Sequence, residues 1–292
     1  MSKIPNKSIT YRFASIDKML AHLKAKYGKD LEHSPYQGGT PWTNNETLQE
    51  SVSLAIRGTT EYQELVENEL AKLNNVKTPH ADRMDMDVVG STCSPGAYIS
   101  GHPRCMWRQQ KSPNPEPVRI HALMNATASV TVEQFAKRGA MIVALLRKLE
   151  NVVPVELWIV FSTPSRIKRN DANVTYMFKA QTAPLDIRRL SYQLASVGFF
   201  RNVGASLVES NGHGVTFGPC ATFNGVYGYE GNNMITRRKY IAGYKEALGL
   251  NERDIVFPRM TPDEGIHVET IDVNEWLNEI AASVTGMEVA SD

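Results

Sequence analysis

The residues best placed for chemistry fall in one short stretch. Between positions 98 and 111 the chain interleaves Tyr98 and Trp107 with His102, Arg104, Arg108 and Lys111. Aromatic faces stack on bases and cations neutralise phosphates, so the mixture suits a single nucleic-acid strand. The stretch sits in a segment, 90–117, punctuated by Gly and Pro and longer than the usual connector within a compact domain. Loops of that length tend to be functional or disordered. The same residues also suit a structural loop in which Trp107 plugs the core and the arginines are solvated. More cations follow at Arg166, Lys168 and Arg169 in a hairpin-like connection, at Arg188 and Arg189 within a helix, at Arg201, and at Arg237, Arg238 and Lys239 opening a later helix. The residues from His102 to Arg201, with the 237–239 helix start, are expected to line a groove. Phe199 and Phe200 would join Tyr98 and Trp107 as stacking surfaces, and single-stranded DNA is the partner this implies.

Other chemistry finds less support. Asp85 and Asp87 alternate in Met84-Asp-Met-Asp87, so on a strand they share a face. Such a pair can hold magnesium for a nuclease or form an acidic strand edge. None of the seven histidines lies in His-Glu-x-x-His spacing. Gly-x-Ser-x-Gly and the phosphate-loop pattern are both absent from the sequence. His121 falls within an apolar run and reads as a hydrogen-bonded core residue. The expectation is a non-enzymatic protein with no cofactor. Cys93, Cys105 and Cys220 are odd in number and lack metal-ligand spacing, and are expected to be reduced thiols.

Composition fits a globular protein, with 42% hydrophobic and 22% charged residues over 292 positions. No run has the apolar length of a membrane span and the first residues lack a signal-like apolar core, so a cytoplasmic location is expected. The net charge of +1 hides an asymmetry. Residues 101–201 carry 15 Lys/Arg against 6 Asp/Glu, whereas 251–292 carry 2 against 10. Such asymmetry hints at nucleic-acid contact, with an acidic end that mimics nucleic acid or recruits a partner.

The elements that must position these residues centre on 117–163. Val118–Met124 reads as a strand, Thr131–Glu150 as a helix with apolar residues at helical spacing, and Val155–Phe161 as a second strand. That is a parallel strand-helix-strand unit with both faces covered. Before it, helices are expected from Ser15 to about Tyr27, from Asn45 to about Arg57 and from Glu61 to Leu73. Lys18, Lys24 and Lys26 on the first of these read as a solvated face. After the central unit come a strand at Asn173–Ala183, a helix from Pro184, a strand at Ala205–Glu209, a helix at Thr236–Leu248, a strand at Asp254–Phe257 and a helix at Val273–Ser283. The fold class is therefore α/β, a mostly parallel sheet with helices on both faces and an antiparallel edge hairpin, preceded by a helical N-terminal region. The divisions are 1–83 helical, 84–116 a basic connector, 117–285 the α/β core and 286–292 a tail.

The element order from Pro117, with its closely joined second and third strands, resembles the von Willebrand factor A-like fold. Proteins of that fold often carry Asp-x-Ser-x-Ser after the first strand, where a carboxylate and two hydroxyls hold a divalent metal. This chain has Asn125-Ala-Thr127-Ala-Ser129 there. The hydroxyls remain but the carboxylate is an amide, which weakens a hard-cation site. A protein-binding adaptor with a degenerate metal site is what that resemblance implies. Trp42, the Glu46–Gly58 helix, Asp87-Val-Val-Gly90, Tyr98-Ile-Ser-Gly-His-Pro103, Met106 and Arg138-Gly139-Ala140 together look like a family of bacteriophage proteins of unassigned function. In size and charge layout the chain is also similar to the single-stranded DNA-binding RNA-polymerase cofactors of podoviruses. That likeness implies a homo-oligomer in the host cytoplasm, serving transcription with a phage RNA polymerase as partner, or serving replication.

Overall fold

The computed structural model describes residues 8–72, 84–88, 92–109, 117–126, 130–150, 154–165, 172–182, 184–210, 244–246, 248–251 and 254–257. Its strands are β1 (Ser8–Phe13), β2 (Met84–Asp87), β3 (Thr92–Cys93), β4 (Met106–Gln109), β5 (Val118–Leu123), β6 (Val155–Ser165), β7 (Ala172–Ala180) and β8 (Ile255–Phe257). Its helices are α1 (Ile16–Tyr27), α2 (Leu48–Arg57), α3 (Gln63–Lys72), α4 (Pro95–Ile99), α5 (Val132–Glu150), α6 (Ile187–Ala195) and α7 (Ala205–Glu209). The helix expected at 273–283 and most of the one at 236–248 lie outside the described residues.

Five strands form the main sheet in the order β1-β7-β6-β5-β8. β5 pairs parallel with β6 and β8, β6 pairs antiparallel with β7, and β1 pairs parallel with β7. The strand-helix-strand unit and the hairpin stand as expected, and β1 extends the sheet one strand beyond the hairpin. Its sequence, Ser-Ile-Thr-Tyr-Arg-Phe, is rich in β-formers, and Tyr11 and Phe13 pack on the core while Arg12 stays exposed. Helices α1, α2 and α3 pack into the same core as α5 and α6, so residues 8–72 form a layer of the α/β unit.

Strand alternation divides the buried side chains between the two faces. Ile120, Ala122, Leu157, Ile159, Phe161, Val174, Tyr176, Phe178, Ile255 and Phe257 meet the helices. Leu123, Val160, Met177 and Val256 face the other way, where Tyr244, Leu248 and Leu250 cover them. Helix starts are fixed by side-chain caps. Ser15 Oγ accepts from Lys18 N–H at 3.3 Å, Thr47 and Glu50 cap each other reciprocally at α2, and Asp186 accepts from Arg189 N–H at 3.1 Å. Helix α2 starts at Leu48 and not at Asn45 because Asn44 and Asn45 adopt left-handed φ of 57° and 59°.

The segment read as a strand at Ala205–Glu209 is instead helix α7, which continues a π-helical turn at Phe199–Gly204. From Leu190 to Val208 every residue but Arg201 is buried. Burial all round removes the amphipathic stripe that would have marked a helix. A Cβ on Gly204 would stand 2.4 Å from the Phe161 ring, which shows how closely this turn lies on the sheet.

Candidate nucleic-acid interface

The segment expected to be a connector holds a second sheet, three antiparallel strands in the order β2-β4-β3, with α4 between β3 and β4. Pro95 stands at the first turn of α4, and Gly101, with φ 71°, turns the chain back toward β4. On this frame Tyr98 is 69% and Ile99 84% exposed, and Val88 is 64% exposed. Arg104 and His102 are exposed beside them, and His102 Nδ1 accepts the Arg104 backbone N–H at 3.2 Å. Residues 88–115 contain no Asp or Glu. Trp107 and Arg108 lie in β4, where the register sets them opposite Met86 and Asp85. Lys111 lies outside the described residues.

A second aromatic surface is built around Trp42. The loop from Gly38 to Glu46 is tied down by Gly39 N–H on Glu46 O at 2.6 Å and by Asn202 Nδ2–H on the same oxygen at 2.9 Å. Gly38 has φ 78°, and a Cβ there would stand 2.3 Å from Glu46 O. The Glu46 carboxylate accepts from Ser51 Oγ at 3.0 Å, Ser196 Oγ at 3.4 Å and the Tyr192 hydroxyl. Burial first, and then the bond to Glu46, raises the Tyr192 phenol well above its ordinary range, so it stays a neutral donor. Trp42 is thereby held 40% exposed. The Arg201 guanidinium lies 4.9 Å over its ring and donates to its carbonyl oxygen. The π-helical turn places Arg201 there, and a tryptophan three residues after a Gly-Gly pair was the only sequence signal for it.

The remaining expected contacts are dispersed or buried. Phe200 is 1% exposed, with its ring 5.3 Å from Phe135 and 6.5 Å from Phe161, and Phe199 is fully buried against Phe178 and Tyr192. Both are core residues and cannot stack on a base. Arg188 is exposed at the start of α6 beside Gly58, and Arg189 Nε lies 3.3 Å from Asp186, with all of α6 between this pair and Arg201. Arg166, Lys168, Arg169, Arg237, Arg238 and Lys239 lie outside the described residues. Lys18, Lys24 and Lys26 are exposed on α1, as a solvated face should be.

The Asn125 amide bonds to the backbone of β6. It is 2% exposed, its Nδ2 donates to Ser162 O at 2.5 Å and its Oδ1 accepts Ser162 N–H at 3.0 Å. The amide therefore prolongs the β5–β6 ladder past the end of β5. Thr127 and Ser129 lie outside the described residues. Among the described residues no three His, Cys, Asp or Glu side chains gather as metal ligands, and no helix is long and apolar enough to cross a membrane.

His121 is buried on the face that Tyr244, Leu248 and Leu250 cover, between Trp158 at 6.3 Å and Tyr244 at 6.1 Å. Neither ring nitrogen finds a hydrogen-bond partner among the described residues, which departs from the satisfied core histidine expected. Burial drives its pKa down to about 4. Arg12, Arg119 and Lys245 push the same way, and Asp254 opposes them.

The fold and its surfaces define a mixed α/β protein with a five-stranded main sheet and a small antiparallel sheet that presents aromatic, apolar and basic side chains. It belongs to the family described as Domain of unknown function (DUF7192), whose model matches residues 2–281 and so spans both sheets. No curated protein and no solved structure matches the chain.

Proposed function

We propose that this is a phage protein that binds single-stranded DNA without catalysis, as a homo-oligomer in the host cytoplasm, and serves transcription by a phage RNA polymerase or replication. The reading is carried by Tyr98. A tyrosine 69% exposed on a short helix, with Arg104 and His102 exposed beside it in a stretch free of Asp and Glu, offers a stacking face together with phosphate-neutralising charge. Trp42 under Arg201 supplies a second stacking face of the same kind. Recognition of this kind tolerates sequence, because stacking and phosphate contacts carry little base information.

The test is fluorescence anisotropy with labelled single-stranded and duplex oligonucleotides at two salt concentrations. Stacking contributes about 1–3 kcal/mol per base, so Tyr98→Ala is expected to weaken single-strand binding by roughly 5- to 150-fold at low salt. Arg104→Ala is expected to lower both affinity and its salt dependence. Binding that ignores salt, or that is equal for wild type and Tyr98→Ala, contradicts the proposal. A protein-binding adaptor is the second reading, favoured by the exposed Val88 and Ile99. Absence of DNA binding even at low salt would leave that adaptor as the working function.

A further inference from the structure

We propose that the turn around α4 docks this protein on an anionic phospholipid bilayer, with Tyr98 and Ile99 entering the headgroup boundary and the flanking cations lying on the lipid phosphates. Strand register gathers the parts at one end of the small sheet. Asp87 at the end of β2 and Cys93 at the end of β3 both lie opposite Met106, the first residue of β4, so Val88 and α4 leave the sheet at the same edge. None of the residues of α4 is buried, and Ile99 is 84% and Tyr98 69% exposed. Its sequence, Pro-Gly-Ala-Tyr-Ile, carries no charge. Tyr98 N–H donates to Ser94 O at 3.0 Å, Ser100 N–H to Gly96 O at 3.1 Å, Gly101 N–H to Tyr98 O at 3.0 Å and His102 N–H to Ala97 O at 2.9 Å. With these donors satisfied inside the turn, its tip leaves water at less cost than an open loop would.

Charge and size select the partner. Residues 88–115 hold Arg104, Arg108 and Lys111 and no Asp or Glu, which complements an anionic surface. Each Lys or Arg near such a surface strengthens attachment to it. A stable protein interface occupies about 20–30 residues a side, whereas α4 is five residues long. A bilayer needs no matching surface, and it receives apolar side chains to a depth of about 5–10 Å. Tyrosine suits that depth, since its ring is apolar and its hydroxyl stays among the headgroups. The inference does not rest on DNA binding. Tyr98 serves either partner, but Ile99 offers apolar area that a phosphate chain does not use, and DNA and bilayer compete for the turn.

The experiment sediments the full-length chain, free of DNA, with vesicles of phosphatidylcholine alone or mixed equally with phosphatidylglycerol, at low and high salt. Wild type is expected to bind the mixed vesicles about tenfold or more above the neutral ones, and to lose binding as salt rises. Ile99→Ser should weaken binding about tenfold or more, and Arg104→Ala about fivefold. Both should keep the wild-type Tm within about 1 °C, since both side chains are exposed. Ile56→Ser, at an exposed apolar side chain on α2, should leave vesicle binding unchanged. Ile99→Trp should add, over wild type, fluorescence that bromine on the acyl chains quenches. No binding to the mixed vesicles at low salt, equal binding to both vesicles, or full binding by Ile99→Ser would each overturn the proposal. Lipid-free self-association that Ile99→Ser abolishes would also overturn it, giving the turn to a second copy. An oligonucleotide titration keeps the DNA reading separate, since Ile99→Ser should hold single-strand affinity within about twofold. A loss there as large as the loss of vesicle binding would assign Ile99 to DNA and overturn the bilayer.

Discussion

Acidification should weaken this protein through one side chain, and the size of the effect follows from where His121 sits. Its folded pKa is pushed to about 4 from an ordinary 6.5, chiefly by burial, so the native state holds the neutral ring. Between those values the unfolded chain binds a proton that the folded chain refuses. The stability contributed is therefore fully present above about pH 6.5 and is lost as pH falls through the window toward 4. The difference of about 2.5 units corresponds to about 3 kcal/mol in full, of which about 2 kcal/mol is gone by pH 5. Asp254, Arg119, Arg12 and Lys245 act on the imidazole from neighbouring elements, and their net effect is already contained in that value. The perturbation is His121→Leu, which keeps an apolar filling between Trp158 and Tyr244 and has nothing to protonate. Urea unfolding followed by tryptophan fluorescence at pH 7, 6 and 5 measures both proteins. Wild type should lose about 2 kcal/mol more than the variant between pH 7 and 5. Equal losses in the two, within about 0.5 kcal/mol, would show that the imidazole is not buried uncharged and would refute the reasoning.

Two packing predictions follow from close approaches. A Cβ on Gly139 would stand 2.4 Å from Leu194 O and 2.5 Å from Ala195 Cα, so Gly139→Ala must part α5 from α6. Overpacking outweighs the gain of about 1 kcal/mol in helix propensity, and a net loss of about 2 kcal/mol should lower Tm by about 4–8 °C. Gly96→Ala, at a helical glycine with open space around it, should leave Tm within about 1 °C, and a similar fall in both would refute the clash. Asn125→Ala strips the Ser162 backbone N–H and C=O of their partners and should cost about 2–3 kcal/mol in chemical denaturation. Asn125→Asp should cost at least as much at pH 7, since a carboxylate cannot donate to Ser162 O, and millimolar magnesium should not restore it. Recovery by magnesium would revive an ion site at this position.

The elements read most clearly in the sequence were those with a strong, uninterrupted signal. Val118–Leu123, α5 and β6 combine continuous apolar strands with a helix whose cap, Thr131 with Gln134, is a recognisable pair. β1 was missed because six residues paired with a strand more than 150 positions later give no local sign of a sheet. Of the small sheet only the strand at Met84–Asp87 showed in the sequence, since β3 is only two residues long. In the candidate interface, residue type alone could not separate Phe200, which is core, from Tyr98, which is exposed. The Trp42–Arg201 pair depends on a contact between residues 159 positions apart, which no periodicity or spacing announces.

The pairing of β1 with β7 also sets a schedule for synthesis. Strand β1, the first among the described residues, is joined to a strand that ends at Ala180, and its register runs from Ser8 against Asn173 to Phe13 against Phe178. At about 5–20 residues per second, β1 waits roughly 10–30 s for its neighbour to leave the ribosome. Throughout that interval its backbone donors and acceptors are open to any other extended chain nearby, including the same segment of a nascent copy on the next ribosome. Arg12, exposed on this strand, puts a charge on each such copy, and parallel self-pairing in register would bring those like charges together.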